Sequence, residues 1–383
     1  MTARRLCALL LLLVAACTRP PLRVASSGDY PPFSLHAADG TWSGFDVEVA
    51  RAYAEQAGRP LELVPFSWPE LTAVVGRGDV DVAMSGVTVR PERLLVGTMT
   101  GAVARAQAIL LVPADVSAPP RIVAVNRGGH LERVARARLP DVELRLVEDN
   151  RTLLAQLRER TVDGIVTDTI EAAPLLADPA YRTAAVLSDD RKAYWVSPQS
   201  APLARPLDDW LIARETDGTL AAWRTRWLGS AAGPTLPPAV ERVVDLMARR
   251  LMLMPMVAAA KRVAGRPIED LAREADVERR AAVLAHEAGL QVDTYVALAR
   301  AQIAAAKAVQ ATTPPGMAPT ATLEQLRVAI GAIDDALPWA LRRSGVVTTP
   351  PPALKAALAR DAAVPGVDEA VVASLIRALV AVR

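Results

Sequence analysis

The stretch GSAAGPTLPP (residues 229–238) divides this sequence into two halves with different patterns. Small residues and prolines favour an irregular connection over a continued helix or strand. Before this stretch, short β-rich runs alternate with helical segments, whereas beyond it strand signals almost vanish. The sequence therefore predicts a linker, residues 230–238, between two domains of different fold class.

The half before the linker, residues 22–229, is predicted to be an α/β domain. Strands are expected at 22–25, 61–64, 80–84, 121–125, 142–146 and 164–167, and helices at 45–57, 68–76 and 203–227. Strands that alternate with helices indicate mainly parallel sheets. Because the alternation starts again near residue 121, we expect two lobes.

The half after the linker, residues 239–383, is predicted to be all-helical. Helical patterns cover 240–254, 267–289, 292–310 and 323–344, with proline-rich breaks at 313–315 and 349–352. Prolines at such points end helices. The expected architecture is thus a bilobal α/β domain followed by an all-α domain.

Composition excludes several functional classes. The chain has 383 residues, of which 51% are hydrophobic and 22% charged, as in folded soluble domains. Its 44 basic and 42 acidic residues give a net charge of +2, which provides no basis for nucleic-acid binding. Both cysteines, Cys7 and Cys17, precede the two domains, and the sequence has neither a histidine cluster nor a phosphate-binding glycine loop. We therefore expect no metal site and no cofactor.

Residues 1–21 have the pattern of a secretory signal peptide. Two arginines precede a short apolar run, which ends in the small-residue sequence VAAC (14–17). The run is shorter than the roughly 20 residues that a membrane-spanning helix needs. We expect a periplasmic or secreted protein. The VAAC sequence also resembles a bacterial lipobox, so either Cys17 carries a lipid anchor or the segment is an ordinary cleavage site.

Seven polar residues recur at helical spacings in the Ala- and Leu-rich C-terminal half: Arg250, Lys261, Asp270, Arg273, Glu274, Gln310 and Arg327. Arg250 and Lys261 are eleven residues apart, about three α-helical turns, so one straight helix would align them. Asp270, Arg273 and Glu274 share one helix face, because they stand at i, i+3 and i+4. Each residue alone is more simply explained as a solvated surface group, whereas the ordered set indicates a site.

This set resembles the exported subclass of the AroQ-type chorismate mutases over about residues 240–345. The resemblance rests on the Arg250-to-Lys261 spacing, on PIED (267–270) followed by Arg273, and on AQI (301–303) leading to Gln310. Enzymes of this family rearrange chorismate, a dicarboxylate, to prephenate without a covalent intermediate. The resemblance implies that Arg250 and Arg327 bind the carboxylates with support from Arg273, since a guanidinium pairs well with a carboxylate.

The other members of the set have different implied roles. By the same resemblance, Lys261 and Gln310 donate hydrogen bonds to the ether oxygen of the breaking bond. Glu274 and the region of Asp270 would face the ring hydroxyl. A glutamine stays neutral at every working pH, whereas a glutamate there would have to be protonated. The position four residues before Gln310 is Ala306, where relatives often have a hydroxyl.

Motifs in the N-terminal half resemble those of the bilobal periplasmic solute-binding proteins for amino acids. The motifs are GDYPPF (28–33), GFDV (44–47), MSGVT (84–88) and PER (91–93). The resemblance implies that Arg93 binds a ligand carboxylate with help from backbone groups of residues 85–88. A cleft between two lobes is also where a small-molecule site is expected.

Further motifs resemble the enzyme variant of this fold, cyclohexadienyl dehydratase, which acts on prephenate or arogenate. They are SWPEL (67–71), NRGG (126–129), TDTIEA (167–172) and KAY (192–194). The resemblance implies substrate contacts from Asp29, Trp68, Ser85, Thr88, Arg93, Asn126, Asp168 and Lys192. Two departures from the family are noted: His130 replaces the usual Thr, and a basic residue expected within 97–107 is Arg105 or is missing.

Glu171 is the residue that distinguishes the dehydratase interpretation of this domain from that of a non-catalytic binding protein. Loss of a hydroxyl as water needs a proton donor, and a partly buried glutamic acid with a raised pKa can supply it. The simpler alternative is a surface residue at a helix start, favoured by the helix dipole.

Together the two halves predict an exported bifunctional enzyme that converts chorismate to prephenate and then to phenylpyruvate, or arogenate to phenylalanine. Its expected partners are these small molecules. The alternative is a chorismate mutase fused to a non-catalytic amino-acid-binding module. The sequence leaves open whether the chain forms a homo-oligomer.

Overall fold

The computed structural model describes residues 19–229, 233–345 and 348–383. The expected lipid attachment at Cys17 and most of the predicted signal peptide lie outside the described residues. Strands β1 to β11 are Leu22–Ser26, Asp29–Tyr30, Ser34–His36, Trp42–Ser43, Leu61–Pro65, Val82–Ala83, Thr98–Pro113, Ile122–Asn126, Glu143–Val147, Gly164–Asp168 and Tyr181–Val196. Helices α1 to α8 are Phe45–Ala57, Leu71–Arg77, Pro91–Leu94, His130–Arg138, Leu153–Arg158, Ala173–Leu176, Ala204–Thr216 and Thr219–Leu228. Helices α9 to α15 are Pro238–Met252, Met254–Val263, Leu271–Ala288, Val292–Thr312, Leu323–Ser344, Pro351–Asp361 and Glu369–Ala381.

Eight of these strands form one sheet with the order β5-β1-β6-β11-β7-β10-β8-β9. Strands β5, β1 and β6 are parallel and belong to the first lobe, and β10, β8 and β9 are parallel and belong to the second. The prediction of parallel strands is therefore confirmed within each lobe. The centre differs, since the 16-residue strands β7 and β11 run antiparallel there. These two strands cross between the lobes in opposite directions, so they cannot be parallel.

Helix α1 shows how local sequence sets an element of the first lobe. It begins after Gly44 and ends at Gly58, whose left-handed backbone (φ 60°) stops the helix at a position that suits glycine. Glu48 lies in the first turn, where a negative charge interacts favourably with the helix dipole. Phe45 and Val49 are buried in the core of the lobe. The predicted bounds of this helix are confirmed.

The single helical segment predicted at 203–227 is wrong. The chain there forms two helices, α7 and α8, that are separated at Asp217 and Gly218. Gly218 has a φ of 82°, which breaks the right-handed helical path.

The C-terminal half is helical, as predicted. Helix α13 has the predicted bounds and starts with a capping box, in which Thr322 and Gln325 each bond the other's backbone N–H. Helix α11 starts at Leu271 and not near residue 267, because the Asp270 side chain caps it by accepting from the Arg273 N–H.

The single straight helix expected to carry both Arg250 and Lys261 is broken. Helix α9 ends at Met252 and α10 begins at Met254, with Leu253 between them. Pro255 explains the break, because proline has no N–H for the helix ladder and its ring clashes with the preceding turn.

The helical half packs directly against the bilobal half. One apolar core contains Met99 of β7 and Trp195 of β11 together with Val243 and Met247 of α9. The two faces of the second lobe's sheet have separate cores. Helix α9 is thus buried between the crossing strands and the rest of the helical domain.

None of the described helices is long and apolar enough to cross a membrane.

Candidate active sites

A small cavity of about 30 Å³ lies between the two lobes of the N-terminal domain. It is lined by Tyr30, Trp68, Gly86, Thr88, Arg93, Asn126, Gly129, His130, Leu131, Asn150 and Lys192. Five of the residues predicted from sequence to bind substrate are in this set: Trp68, Thr88, Arg93, Asn126 and Lys192. Trp68 stands edge-on to Tyr30, with ring centroids 5.7 Å apart, and forms an aromatic wall.

Lys192 lies at the point where the lobes meet. Its side chain is 3% exposed, and its Nζ is 3.0 Å from Asp168 Oδ2 of the second lobe. The same Nζ donates to Thr88 Oγ1 of the first lobe at 3.1 Å. The Tyr30 hydroxyl, also in the first lobe, donates to Asp168 Oδ2. These polar contacts join the two lobes across the cleft and hold a buried positive charge beside the cavity.

Arg93 is a buried cation without a carboxylate partner among the described residues. It lies in α3, where its Nη1 donates to the Thr88 carbonyl at 2.5 Å and its Nε has no partner in the described part of the chain. The guanidinium also lies 5.5 Å from the Trp195 ring centroid. Burial, and then the nearby charge of Arg90, lower the pKa of Arg93. A ligand carboxylate would relieve both the unmet donor and the desolvated charge.

Glu171 is buried, which rules out the surface-residue alternative. It is 5% exposed. Asn150 Nδ2 donates to its Oε1, and the Thr167 hydroxyl donates to its Oε2. Burial, and then the negative charge of Asp168, raise the pKa of Glu171 to about 8. The side chain is therefore a neutral carboxylic acid at neutral pH.

Four predicted residues lie behind the cavity lining. Asp29 accepts from Trp68 Nε1 at 3.3 Å. Ser85 Oγ is directed to Ser27, accepting from its N–H at 3.1 Å. Asp168 Oδ1 accepts from the backbone N–H groups of residues 170 and 171, each at 3.0 Å. Glu171 also lies outside the lining, behind Asn150.

Three polar side chains that line this cleft were not among the predicted site residues: Tyr30, His130 and Asn150. Tyr30 belongs to the motif GDYPPF, so its motif was a usable signal. His130 begins α4 and its Nε2 hydrogen bonds to Asp190 Oδ1 at 2.8 Å. Asn150 lies in a short 3₁₀ turn after β9, and nothing in its local sequence indicates that it contacts Glu171.

A second cavity, of about 130 Å³, lies among α9 to α13 of the helical domain. All seven residues predicted for the mutase site line it: Arg250, Lys261, Asp270, Arg273, Glu274, Gln310 and Arg327. The break at Leu253 therefore does not prevent Arg250 and Lys261 from reaching one cavity. Apolar side chains, among them Met254 and Ile303, form the rest of the wall. An adjoining cavity of about 610 Å³ shares Arg250, Arg273 and Arg327 with it.

Arg250 is the most firmly held of the three arginines. Its Nε donates to Asp334 Oδ1 at 3.0 Å and its Nη1 to the Gln302 carbonyl at 3.1 Å. Arg273 and Arg327 are exposed and form no ion pair with the described residues. The cavity thus has one fixed guanidinium and two that are available to anions.

The two expected ether-oxygen donors contact backbone carbonyls. Lys261 Nζ donates to the Ile268 carbonyl at 2.6 Å, and burial lowers its pKa. Gln310 Nε2 donates to the Ala306 carbonyl at 3.1 Å, while its buried Oε1 has no partner in the described part of the chain.

The acidic residues at the start of α11 form a small network. Asp270 caps the helix, and its N–H lies 3.4 Å from Glu274 Oε1. Lys307 Nζ donates to Glu274 Oε2 at 3.0 Å. Asp334 also lines this cavity, and its sequence position carries no signal of a site residue.

Comparison with known proteins shows that the two domains that contain these cavities match two different families. Residues 22–230 match the model for bacterial extracellular solute-binding proteins, family 3, and residues 241–311 match chorismate mutase type II. The first match covers more than half of the chain, which therefore belongs to the family 3 solute-binding proteins. The chain joins such a domain to a helical chorismate mutase domain, as the sequence predicted.

Individual proteins with a sequence similar to that of the first domain include an enzyme and a binding protein. It is 32% identical over 223 residues to cyclohexadienyl dehydratase of Pseudomonas aeruginosa, a match that covers 54% of this chain and 82% of the relative. An L-cystine-binding protein of Escherichia coli is 26% identical over 224 residues, which cover 55% of this chain and 84% of that protein.

A solved structure gives a similar result. The crystal structure of an ancestral amino-acid-binding protein, described as a precursor of cyclohexadienyl dehydratase, matches at 26% identity with a TM-score of 0.51. The match covers 58% of this chain and 99% of that one. The expectation of an enzyme with an isomerase domain and a dehydratase-type domain is confirmed.

Proposed function

We propose that the helical domain converts chorismate to prephenate and that the bilobal domain converts prephenate to phenylpyruvate, or arogenate to phenylalanine. The observation that carries the second activity is the buried Glu171, whose pKa of about 8 keeps it protonated at neutral pH. A protein that only binds amino acids has no need of such an acid beside a buried Lys192 and Asp168. The seven polar residues around one cavity support the first activity.

In the proposed dehydration, Arg93 binds the side-chain carboxylate of the substrate. The ring carboxylate leaves as CO₂, and the electron pair of its C–C bond enters the ring and forms the aromatic system. The C4–O bond breaks at the same time, and Glu171 gives its proton to the departing hydroxyl, which leaves as water. Lys192 and Asn126 orient the ring portion. Solvent then returns a proton to Glu171.

The cleft must open and adjust to admit this substrate. A cavity of about 30 Å³ is far smaller than prephenate and is of the size of a bound water. Bilobal binding domains open and close around their ligands by hinge motion. The Asn150 amide lines the cavity with Glu171 behind it, so the proposal requires this amide to move aside when the ring hydroxyl arrives.

In the proposed rearrangement, the arginines hold chorismate in a compact conformer. Arg250 and Arg327 bind the two carboxylates, and Arg273 assists. Negative charge develops on the ether oxygen as its bond to carbon breaks. Lys261 and Gln310 turn their donors from the backbone carbonyls to this oxygen and stabilise that charge.

The first experiment uses the chain without residues 1–21, incubated with chorismate at neutral pH. Chorismate, prephenate and phenylpyruvate are quantified over time, without an acid quench because prephenate aromatises in acid. We expect phenylpyruvate to accumulate, and the Glu171→Gln variant to stop at prephenate. Glu159→Gln, which neutralises an exposed carboxylate of the same domain, is the matched control and should behave as the parent.

Two outcomes would contradict parts of the proposal. If the parent stops at prephenate and arogenate is not converted either, the bilobal domain is a binding module. If Glu171→Gln retains dehydration, another group is the acid.

Membership in an extracellular family supports the predicted export, and lipid attachment through Cys17 stays a prediction.

A further inference from the structure

Two arginines with little solvent exposure face each other in the centre of the sheet. Arg105 of β7 and Arg191 of β11 are register partners on neighbouring antiparallel strands. The side chain of Arg105 is 12% exposed and that of Arg191 is 6% exposed. Like charges directly opposite each other destabilise an antiparallel pair, and burial strengthens the repulsion. Within the described residues, no carboxylate of the bilobal domain forms an ion pair with either arginine.

The helical domain supplies the missing negative charges. Asp361 of α14 accepts two hydrogen bonds from Arg105, at 2.8 and 2.9 Å, and its backbone carbonyl accepts from Arg191 at 3.2 Å. Asp245 of α9 forms a 2.5 Å ion pair with Arg191 and also pairs with Arg242 and Arg249 of its own helix. Glu241 pairs with Arg105. Burial raises the pKa of Asp361, but the Arg105 hydrogen bonds and the Arg191 charge outweigh it and lower the value to about 2. Asp361 is therefore ionised at neutral pH.

The helical domain also holds the backbone of the same strand. Arg249 of α9 donates to the Met99 carbonyl at 2.6 Å and to the Thr100 carbonyl at 2.5 Å. The next residue along this helix, Arg250, lines the mutase cavity. Helix α9 therefore contacts both β7 and the mutase site.

The opposed arginines stand where the lobes are connected. Strand β11 pairs with β6 of the first lobe at Trp195, and β7 pairs with β10 of the second lobe at Ala108. Arg105 and Arg191 lie between these points, in the segments that cross from lobe to lobe. Hinges of bilobal proteins consist of such short crossing segments. Lys192, which joins the lobes in the cleft, follows Arg191 directly.

We propose that Asp361 and Asp245 of the helical domain are positioning residues for the cleft of the bilobal domain. By neutralising Arg105 and Arg191, they keep the crossing strands paired and so place Lys192 between the lobes. The bilobal domain then depends on the helical domain for its catalytic geometry. This inference rests on the proposed dehydration, and it goes beyond it by assigning to one domain a role in the other's reaction.

The test is Asp361→Asn in the chain without residues 1–21, with each activity measured on its own substrate. We expect kcat/KM for prephenate to fall at least tenfold, because small misplacements of reacting groups are costly. We expect kcat/KM for chorismate to stay within twofold, since Asp361 does not line the mutase cavity. Unchanged mutase activity shows that the helical domain is folded. Unchanged dehydration in this variant would overturn the proposal.

A matched control distinguishes the role of Arg105 and Arg191 from a general effect of holding the two domains together. Asp209 of α7 pairs with Arg343 of α13, also across the two halves but at a more exposed position, and this pair does not involve Arg105 or Arg191. We expect Asp209→Asn to leave both activities within twofold of the parent. A loss of dehydration equal to that of Asp361→Asn would show that any interdomain contact matters and would overturn the specific role.

A second variant tests neutralisation itself. If Asp361 acts by balancing charge, removing one opposed cation with Arg105→Gln should restore dehydration to Asp361→Asn at least threefold. Such non-additivity is the signature of two residues acting through one interaction. A double variant no more active than the single one would overturn charge balance as the cause.

Calorimetry keeps this inference distinct from the proposed function. In the Glu171→Gln background, prephenate binding to the bilobal cleft can be measured without turnover, as the part of the binding heat that a further Arg93→Ala change abolishes. We expect adding Asp361→Asn to weaken the affinity at least fivefold, because Lys192 is displaced from the cleft. If the parent shows no dehydration, the proposed function fails, yet this affinity change still tests the positioning role. Equal affinities would contradict it.

Discussion

Nε of Arg250 lies 3.0 Å from Oδ1 of Asp334, and the two residues come from different helices of the mutase cavity. Helix α13 therefore fixes the guanidinium that α9 presents. With Nε on Asp334 and Nη1 on the Gln302 carbonyl, Nη2 is left without a hydrogen bond to the described residues. That arrangement orients Arg250 before any carboxylate binds.

Replacing Asp334 should weaken chorismate binding only when the hydrogen bond is lost. Asp334→Ala removes the acceptor, and a hydrogen bond to a charged group contributes about 2 kcal/mol, so KM for chorismate should rise roughly 10- to 30-fold. Asp334→Asn keeps an acceptor oxygen, and its KM should stay within about threefold of the parent. Steady-state kinetics of both variants measure this difference. A larger defect in the Asn variant would show that the charge matters, not the orientation.

The dehydratase activity should lose rate at alkaline pH. A general acid works only while it is protonated, and burial with the Asp168 charge raises the pKa of Glu171 to about 8. The value of kcat/KM for prephenate should therefore be level below about pH 8 and fall about tenfold per pH unit above it. Initial rates between pH 6 and 10, with prephenate supplied directly, measure the profile. A rate that rises with pH through about 8 would mean that Glu171 acts ionised, as a base or a charge. A rate that does not change near pH 8 would mean that another group is the acid.

The same raised pKa predicts a gain in stability for Glu171→Gln. In the unfolded chain Glu171 ionises near its ordinary pKa of 4.5, whereas in the folded protein it does so near 8. As pH rises, the unfolded chain therefore releases this proton first. The contribution of Glu171 to the free energy of unfolding declines between about pH 4.5 and pH 8. The variant lacks this loss. Its Tm should exceed that of the parent more at pH 9 than at pH 5, as thermal unfolding followed by circular dichroism would show. Glu159→Gln should show no such pH-dependent difference.

The mutase site was predictable from sequence partly through helix periodicity and partly through the resemblance to the AroQ-type chorismate mutases. Asp270, Arg273 and Glu274 share a face by their spacing alone, and they line the cavity as expected. Asp334 was missed because its partner Arg250 lies 84 residues away on another helix. No periodic pattern connects two such positions.

The interdomain contacts were beyond sequence analysis for a similar reason. Arg105 and Asp361 are 256 residues apart, and each alone has the pattern of a surface charge. By sequence, Arg105 is a candidate for the basic residue that the dehydratase family has within 97–107, but the structure directs its side chain into the helical domain. Burial between two domains depends on tertiary packing, which residue type and local spacing do not reveal.

Because the Gln310 side chain is uncharged, replacing it with glutamate tests its role in the mutase mechanism. The Gln310→Glu variant would place a carboxylate against the ether oxygen, where negative charge develops during the reaction. At pH 7.5 we expect mutase kcat/KM to fall about 100-fold, as when a donor to an oxyanion is removed. Because the position is buried, the new carboxyl should have a raised pKa and become a donor once protonated, so activity should partly recover near pH 5.

The matched control for this experiment is Gln325→Glu. Gln325 is exposed at the start of α13, where a glutamate also satisfies the capping box. This variant should keep the parent's activity and pH profile, which shows that a glutamine-to-glutamate change by itself is harmless. If Gln310→Glu loses activity equally at pH 5 and pH 7.5, the loss comes from packing and not from charge at the ether oxygen. If it loses none, Lys261 alone stabilises that oxygen and Gln310 has only a structural role.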